Sequence, residues 1–420
     1  MVRDDDTGLT RFTQNAIHQN VVARDTVVRV RVVTDARTGV AATNDTSDAS
    51  LQAVVERARA MAALAPRDEA WPGLAAVGRG AAAPPGAFDG AAAHATPERR
   101  ASLVAEIFEA AHERELWAAG YVTTGRSGIT IANSAGTVAS FDGTTCAINV
   151  KANGADSTGY AERYGNALAV LDAGAVAHTA AEKAVRGADP IAVEPGAWTV
   201  ILEPPAFGEL FSYLTDHFSA QAYDEGSSFA SSGLGRTYAG TNVNVADDHA
   251  HPLHAGMPFD FEGYPTARTP LFAGGTAAGV VTDATWSRRL GRPNTGNGQP
   301  APSAAGPEPM HVVVAPGTRD VRDLIAETER GLLVTRFWYI RPVDRRKAIV
   351  TGMTRDGTYL IEKGEIVRGV RNLRFNQSIL DALRRAEFAA GPARTGGYGY
   401  SLVTPAVKID GFTFTSTTAF

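Results

Sequence analysis

Two apolar periods divide this chain into elements. From Asp25 to Val33 apolar and polar residues alternate, the period of a strand with one covered face. The polar cluster Thr43-Asn-Asp-Thr-Ser-Asp48 offers capping oxygens to a helix over 49–64. That helix puts Leu51, Val54, Val55, Ala58, Met61 and Ala62 on one face and ends before Pro66. An Ala/Pro/Gly passage, 78–95, has no period and predicts a loop. Thr96-Pro97-Glu98 predicts a helix start, with a capping hydroxyl, proline at the first position and an acid in the first turn. Leu103, Val104, Ile107, Phe108 and Ala111 form its apolar face to about Glu115. Five short alternating segments then fall within 116–164, separated by Gly, Asn, Ser and Asp, and predict an antiparallel meander. An Ala-rich helix over 166–186 closes at Gly187.

The passage from Pro190 to Gly196, with a proline near each end, is the predicted domain boundary. Beyond it the pattern changes to short strands at 242–245, 270–272, 279–282, 311–315, 332–340, 348–353, 359–361 and 366–370. Helices interrupt them near 205–218, 319–327 and 377–386. The expected class is α+β: residues 1–190 as an N-terminal α/β-layer domain with an antiparallel sheet, and 191–420 as a C-terminal β-rich domain with a few helices. The Gly/Pro/Asn stretch 292–309 cannot be regular structure and is expected to wall a cleft.

Composition narrows the partners. The formal charge of -5 over 420 residues offers no excess of cations for phosphates, so nucleic acid is not an expected partner. The short runs Arg99-Arg100, Arg288-Arg289 and Arg345-Arg346-Lys347 read as solvated faces. The single cysteine, Cys146, excludes an internal disulfide and a multi-cysteine zinc site. It lies in an alternating strand, where a buried thiol is expected. Acids occupy the N-terminus where a signal peptide needs a basic and then an apolar segment, and no run reaches membrane-spanning length, so a cytoplasmic protein without a membrane partner is expected.

Candidate chemistry is sparse. His112-Glu113 begins a zinc-like motif, but Leu116 and Trp117 stand where a second ligand is needed. Asp247-Asp248-His249-Ala250-His251-Pro252-Leu253-His254 holds enough donors for a metal site with an open position, against the alternative of a polar surface loop. Asp260 and Glu262 sit on one side of an extended segment, as an acid/base pair or as acids bonded at a turn. No serine has the elbow context of a nucleophile.

Several passages carry a resemblance. Phe259-Asp-Phe-Glu-Gly-Tyr-Pro-Thr266 is similar to FDDEGxPT of the TldD/PmbA family, and Leu290-Gly-Arg-Pro-Asn-Thr-Gly-Asn-Gly298 to its LGxxxTGNG. Phe337-Trp-Tyr-Ile-Arg-Pro-Val-Asp344 and Thr351-Gly-Met-Thr-Arg-Asp-Gly-Thr-Tyr-Leu-Ile-Glu-Lys-Gly-Glu-Ile366 extend it, with Val370 to Ser378 following. The chain resembles that family over most of its length. The resemblance implies a further strand and helix ahead of Phe12 to Asn20, which this sequence does not carry.

In catalytic members the step from the strand Val200–Leu202 into the helix with Phe207, Leu210, Phe211 and Leu214 bears an HExxxH zinc motif. Here Glu203 and Gly208 fall near the histidine positions and Pro204 near the glutamate. The resemblance therefore implies the TldE-like, zinc-free subunit of a heterodimeric metallopeptidase. No catalytic or metal residue is expected in this chain, and the zinc is expected in a TldD-like partner. A peptide or peptide-like natural-product intermediate would be held by strand addition, and Asp260, Glu262, Thr295 and Asn297 are the expected substrate-binding residues. The other readings are a stand-alone metallohydrolase using His249, His251 and His254, and a non-catalytic peptide-binding module.

Overall fold

The computed structural model describes residues 1–397 and 400–418. The chain opens with a long hairpin, β1 (Val2–Thr13) and β2 (Ala16–Thr34), followed by β3 (Arg37–Thr43) and α1 (Asp48–Leu64). Ser47 caps α1 by accepting from the Ser50 amide, as the polar cluster predicts. A short turn of helix, α2 (Gly90–Ala93), interrupts the expected loop, and α3 (Pro97–His112) starts at the Thr96 cap.

The five segments of the meander are three strands, β4 (Trp117–Ala132), β5 (Val138–Asn153) and β6 (Thr158–Gly165). Gly125, Gly128 and Gly143 read as turns in the sequence yet lie inside continuous ladders. A strand paired on both sides overrides the local preference of such residues. All six strands form one antiparallel sheet in the order β3-β2-β1-β4-β5-β6. The helix expected over 166–186 begins at Ala173 as α4 (Ala173–Arg186), because Asp172 caps it after a short 3-10 turn. Helices α3 and α4 cover one face of the sheet, and Leu103, Ile107, Val122, Ile148, Val176 and Ala180 meet there in a shared core.

From β7 (Gly196–Leu202) onward the strands belong to two other sheets. After α5 (Pro204–Thr215) and α6 (Ala220–Asp224), one sheet gathers β8 (Val245–Asp247), β9 (Thr269–Ala273) and β10 (Thr276–Ala277). It continues, past α7 (Ala284–Leu290), with β11 (Val312–Val314) and, later, β17 (Ala393–Gly397) and β18 (Tyr400–Thr404). The expected strand at 279–282 is absent, and only Val281 makes an isolated bridge, with Ser219.

The other sheet follows α8 (Val321–Ala326) and joins β12 (Arg330–Asp344), β13 (Ile349–Glu362), β14 (Glu365–Gly369), β15 (Leu373–Ser378) and β19 (Val407–Thr417) to β7. After α9 (Ile379–Leu383), the short β16 (Ala386–Phe388) pairs with β19. Because β12 also pairs with β13, the ring β12-β7-β19-β15-β13 closes on itself. Phe337, Phe375, Phe412 and Phe414 fill it, with Phe337 and Phe412 stacked at 5.8 Å. The whole is α+β, as the sequence predicts. Among the described residues no helix is long and apolar enough to cross a membrane, which says nothing about strands.

Candidate functional site

Helix α5 is two-faced. Ala206, Phe207, Gly208, Leu210, Phe211 and Leu214 are buried on one side. Pro205, Glu209, Ser212 and Tyr213 line the other, at the spacing of one helical face. That second face opens on a cleft of about 950 Å³ between α5, the strand β12 and the first sheet.

The floor of the cleft is a straight row across four strands. Arg11 of β1 pairs with Tyr121 of β4, Tyr121 with Asn149 of β5, and Asn149 with Glu162 of β6. Side chains directly opposite on one face of a sheet are neighbours, so the register alone assembles this row. Tyr160 and Tyr164 flank Glu162 on the same face of β6. The opposite wall is β12, whose ladder bulges between Trp338 and Arg341. The bulge turns out Trp338 and Tyr339, 44% and 60% exposed, and Tyr339 adopts φ 59°. The Tyr213 hydroxyl donates to the Ile340 carbonyl at 2.7 Å and ties α5 to the bulge.

Charge in the cleft is balanced but loosely bonded. Glu162 accepts from the Tyr160 hydroxyl and, at 2.8 Å, from Thr395 Oγ1; burial pushes its pKa up while these bonds and Arg336 oppose the rise. No hydrogen bond from the described residues reaches the Glu209 carboxylate. Burial pushes it up to about 7, against the pull of Arg336 and with the push of Glu162. Arg336 lies over the Tyr160 ring at 4.6 Å and near Trp338 at 5.2 Å, with the Asp356 carboxylate 3.7 Å away. Several of its N–H donors are left for a ligand. Such a surface can stack on and hydrogen-bond a peptide-like chain. Among the described residues that line it there is no imidazole or thiol for covalent or metal chemistry.

The residues at the strand-to-helix step do not fit a zinc ion. Lys183 Nζ holds the Glu203 carboxylate at 2.5 Å, and Pro204 and Pro205 occupy the first helical turn without donor atoms. A Cβ built on Gly208 would come within 2.5 Å of Thr395 Cγ2, so an imidazole there needs its neighbour to move. Glycine is what lets β17 pack against this helix.

The four residues singled out as substrate-binding come together, but away from the cleft. Asp260 is fully buried and accepts from the amides of Glu262, Tyr264 and Gly298 at 2.8–2.9 Å; burial raises its pKa to about 7. Glu262 accepts from Arg31 at 3.0 Å and from the Ala284 amide at the start of α7 at 3.1 Å. Thr295 Oγ1 donates to Asn297 Oδ1 at 2.7 Å, and Asn297 Nδ2 donates to Asp247 and to the Glu308 carbonyl. Their polar atoms are used within the chain to pin the irregular segment that follows α7.

The His249/His251/His254 cluster does not converge as a metal site. His254 Nε2 lies 3.1 Å from the Val312 carbonyl, and His251 Nδ1 accepts from the Leu253 amide at 3.3 Å. Among the described residues no three His, Cys, Asp or Glu side chains are placed to hold a metal. Cys146 is buried, as its strand context predicts, and burial pushes its thiol up to about 12.

The cleft residues Arg11, Tyr121, Glu162, Glu209 and Arg336 are not apparent from sequence reasoning. The one local signal is Tyr160-Ala-Glu-Arg-Tyr164, whose alternation places two tyrosines and an acid on one face.

Three family models cover nearly the whole chain. The one described as PmbA/TldA metallopeptidase C-terminal domain matches residues 195–416, that for domain 1 matches 2–62, and that for the central domain matches 92–188. Among solved structures, TldE from Thermococcus kodakarensis superposes with a TM-score of 0.89 at 21% identity, covering 98% of this chain and 95% of that one. A Thermotoga maritima protein provisionally named a modulator of a DNA gyrase gives 0.85 at 18% identity, covering 99% and 95%. A similarly named protein from Bacteroides thetaiotaomicron gives 0.82 at 17%, covering 99% and 93%. No curated protein matches in sequence.

Proposed function

The chain belongs to the PmbA/TldD metallopeptidase family, and we propose that it is the zinc-free, TldE-like half of a two-subunit peptidase of that family. What carries this reading is the state of α5. Its frame is kept while Glu203 is paired with Lys183, Pro204 lacks a donor and Gly208 is packed against Thr395. Hydrolysis then takes place on a zinc-bearing partner, and this chain shapes the cavity and positions an extended peptide or peptide-like natural-product intermediate. The cleft fits that role, with aromatic walls for side chains and underused polar groups for a backbone.

Three further points belong to the same proposal. Residues 1–190 and 191–420 act as two folding units, and the complex works in the cytoplasm. Asp260, Glu262, Thr295 and Asn297 contribute to substrate binding by fixing the loop backbone they bond.

The test is reconstitution. The purified chain is expected to leave an unstructured synthetic peptide intact, and cleavage is expected on adding a zinc-bearing member of the family and to stop on chelation. Peptide hydrolysis by this chain alone would overturn the reading.

A further inference from the structure

On β17 neighbouring residues face opposite ways. Thr395 turns toward Glu162 and the cleft, and Arg394 turns to the other side. There it lines a separate, largely apolar cavity of about 260 Å³ between the first sheet and the second. Ile129 and Phe141 of the first sheet and Met257, Phe261 and Met310 of the second half form its walls.

Two polar groups in this cavity are poorly matched by the chain itself. Arg394 donates from Nε to Ser401 Oγ at 3.0 Å and from Nη1 to Asn166 Oδ1 at 2.6 Å, both neutral acceptors, and Nη2 makes no hydrogen bond among the described residues. No Asp or Glu among the described residues pairs with it, although desolvation is strong enough to hold its pKa below the ordinary value. A guanidinium stays charged under such conditions, so a half-buried one without a counter-ion is a cost to the fold. The second group is His311, which lines the same cavity and has Nδ1 buried with no hydrogen-bond partner. Its ring lies against Gly256, where a Cβ would come within 2.1 Å of Nε2. Burial brings the His311 pKa down to about 3, with His254, His249 and, least, Arg394 adding to the fall, so the imidazole is neutral and keeps one N–H to give.

A half-buried cation without an anion, an unpaired imidazole nitrogen and apolar walls are complementary to one kind of ligand. We propose that this cavity is a binding site for a carboxylate borne on a compact apolar group, held by Arg394 and His311. The carboxylate supplies the missing counter-ion and the apolar body fills the space between the methionines and phenylalanines. Its source is a free small acid or the C-terminal residue of a peptide. The site is separate from the cleft and does not depend on the peptidase reading.

Calorimetric titration of the full chain tests this with four probes: 3-methylbutanoate, phenylacetate, a tripeptide ending in leucine, and the C-terminal amide of that tripeptide. At least one carboxylate probe is expected to saturate, with the amide at least about tenfold weaker. Binding of the free acids identifies a small acid as sufficient, and binding of the tripeptide alone identifies a chain terminus. Arg394→Met is expected to weaken binding by about tenfold or more, with a thermal midpoint no lower than that of the parent, since an apolar replacement removes the unpaired charge. Met310→Trp, which fills the cavity, and His311→Phe are expected to weaken binding as well and carry the test should Arg394→Met not fold. No saturation by any carboxylate, or equal binding of acid and amide, would overturn the proposal. So would full affinity in the folded variants.

Discussion

The Asp260 carboxylate is fully buried and that of Glu209 half-buried, both with pKa values raised to about 7, yet their surroundings are opposite. Asp260 accepts three backbone amides and ties two loop segments together. Glu209 stands on the cleft face of α5 and accepts nothing from the described residues. Similar acidity hides different roles, because burial raises a carboxyl pKa whether or not the group is bonded. The informative variable is how much hydrogen-bonding capacity remains. Where it is exhausted the group builds structure, and where it remains the group is available to a ligand.

The largest effect that could break this comparison is on stability. Asp260→Ala leaves three amides without an acceptor and is expected to cost about 3–5 kcal/mol by urea unfolding near pH 4, whereas Glu209→Ala, at that pH where Glu209 is protonated in both states, is expected to stay within about 1 kcal/mol. Equal losses would place Glu209 in the framework.

The next is pH dependence. Between the ordinary Glu value of 4.5 and about 7, native Glu209 retains a proton that the unfolded chain has lost. Stability therefore falls as pH rises through that window and is lowest above it. Glu209→Gln is expected to be more stable than the parent by about 2 kcal/mol at pH 8 and equal to it near pH 4. A pH-independent difference would refute the assignment.

Restoring a histidine comes third. Gly208→His is expected to cost about 1–3 kcal/mol through its collision with Thr395, and less in a Thr395→Gly background. Additive losses in the double variant would show that the packing argument is wrong. The smallest effect belongs to the exposed wall of the cleft. Tyr339→Gly relieves the left-handed φ and is expected to change stability by no more than about 1 kcal/mol. The same change is expected to raise the KM of a reconstituted complex; an unchanged KM would remove Tyr339 from the binding surface.

Much of the framework was legible one element at a time. Ser47 and Thr96 cap the helices their spacing predicts, and the apolar stripes of α3 and α5 face the cores, whereas α1 buries Val54, Ala58 and Ala62 but leaves Met61 of its expected apolar face 53% exposed. Local signals failed where pairing dominated. Glycines inside β4 and β5 read as breaks, and β1, without strong alternation of its own, is held as a strand by its ladder partners β2 and β4. Among candidate residues, Asp260, Glu262, Thr295 and Asn297 were legible as one polar group. Their polar character could not tell bonds made within the chain from bonds left for a ligand.

By itself the sequence determined the class of the fold, its caps and core faces, the family, and the absence of histidine at the strand-to-helix step. Each of these is a local property of residue type and spacing. Only the tertiary structure decided that Arg11, Tyr121, Asn149 and Glu162 form one row beneath α5, and that Arg394 is half-buried with no acid paired to it among the described residues. Both depend on strand register and on the packing of distant segments, which bring together residues with no relation along the chain.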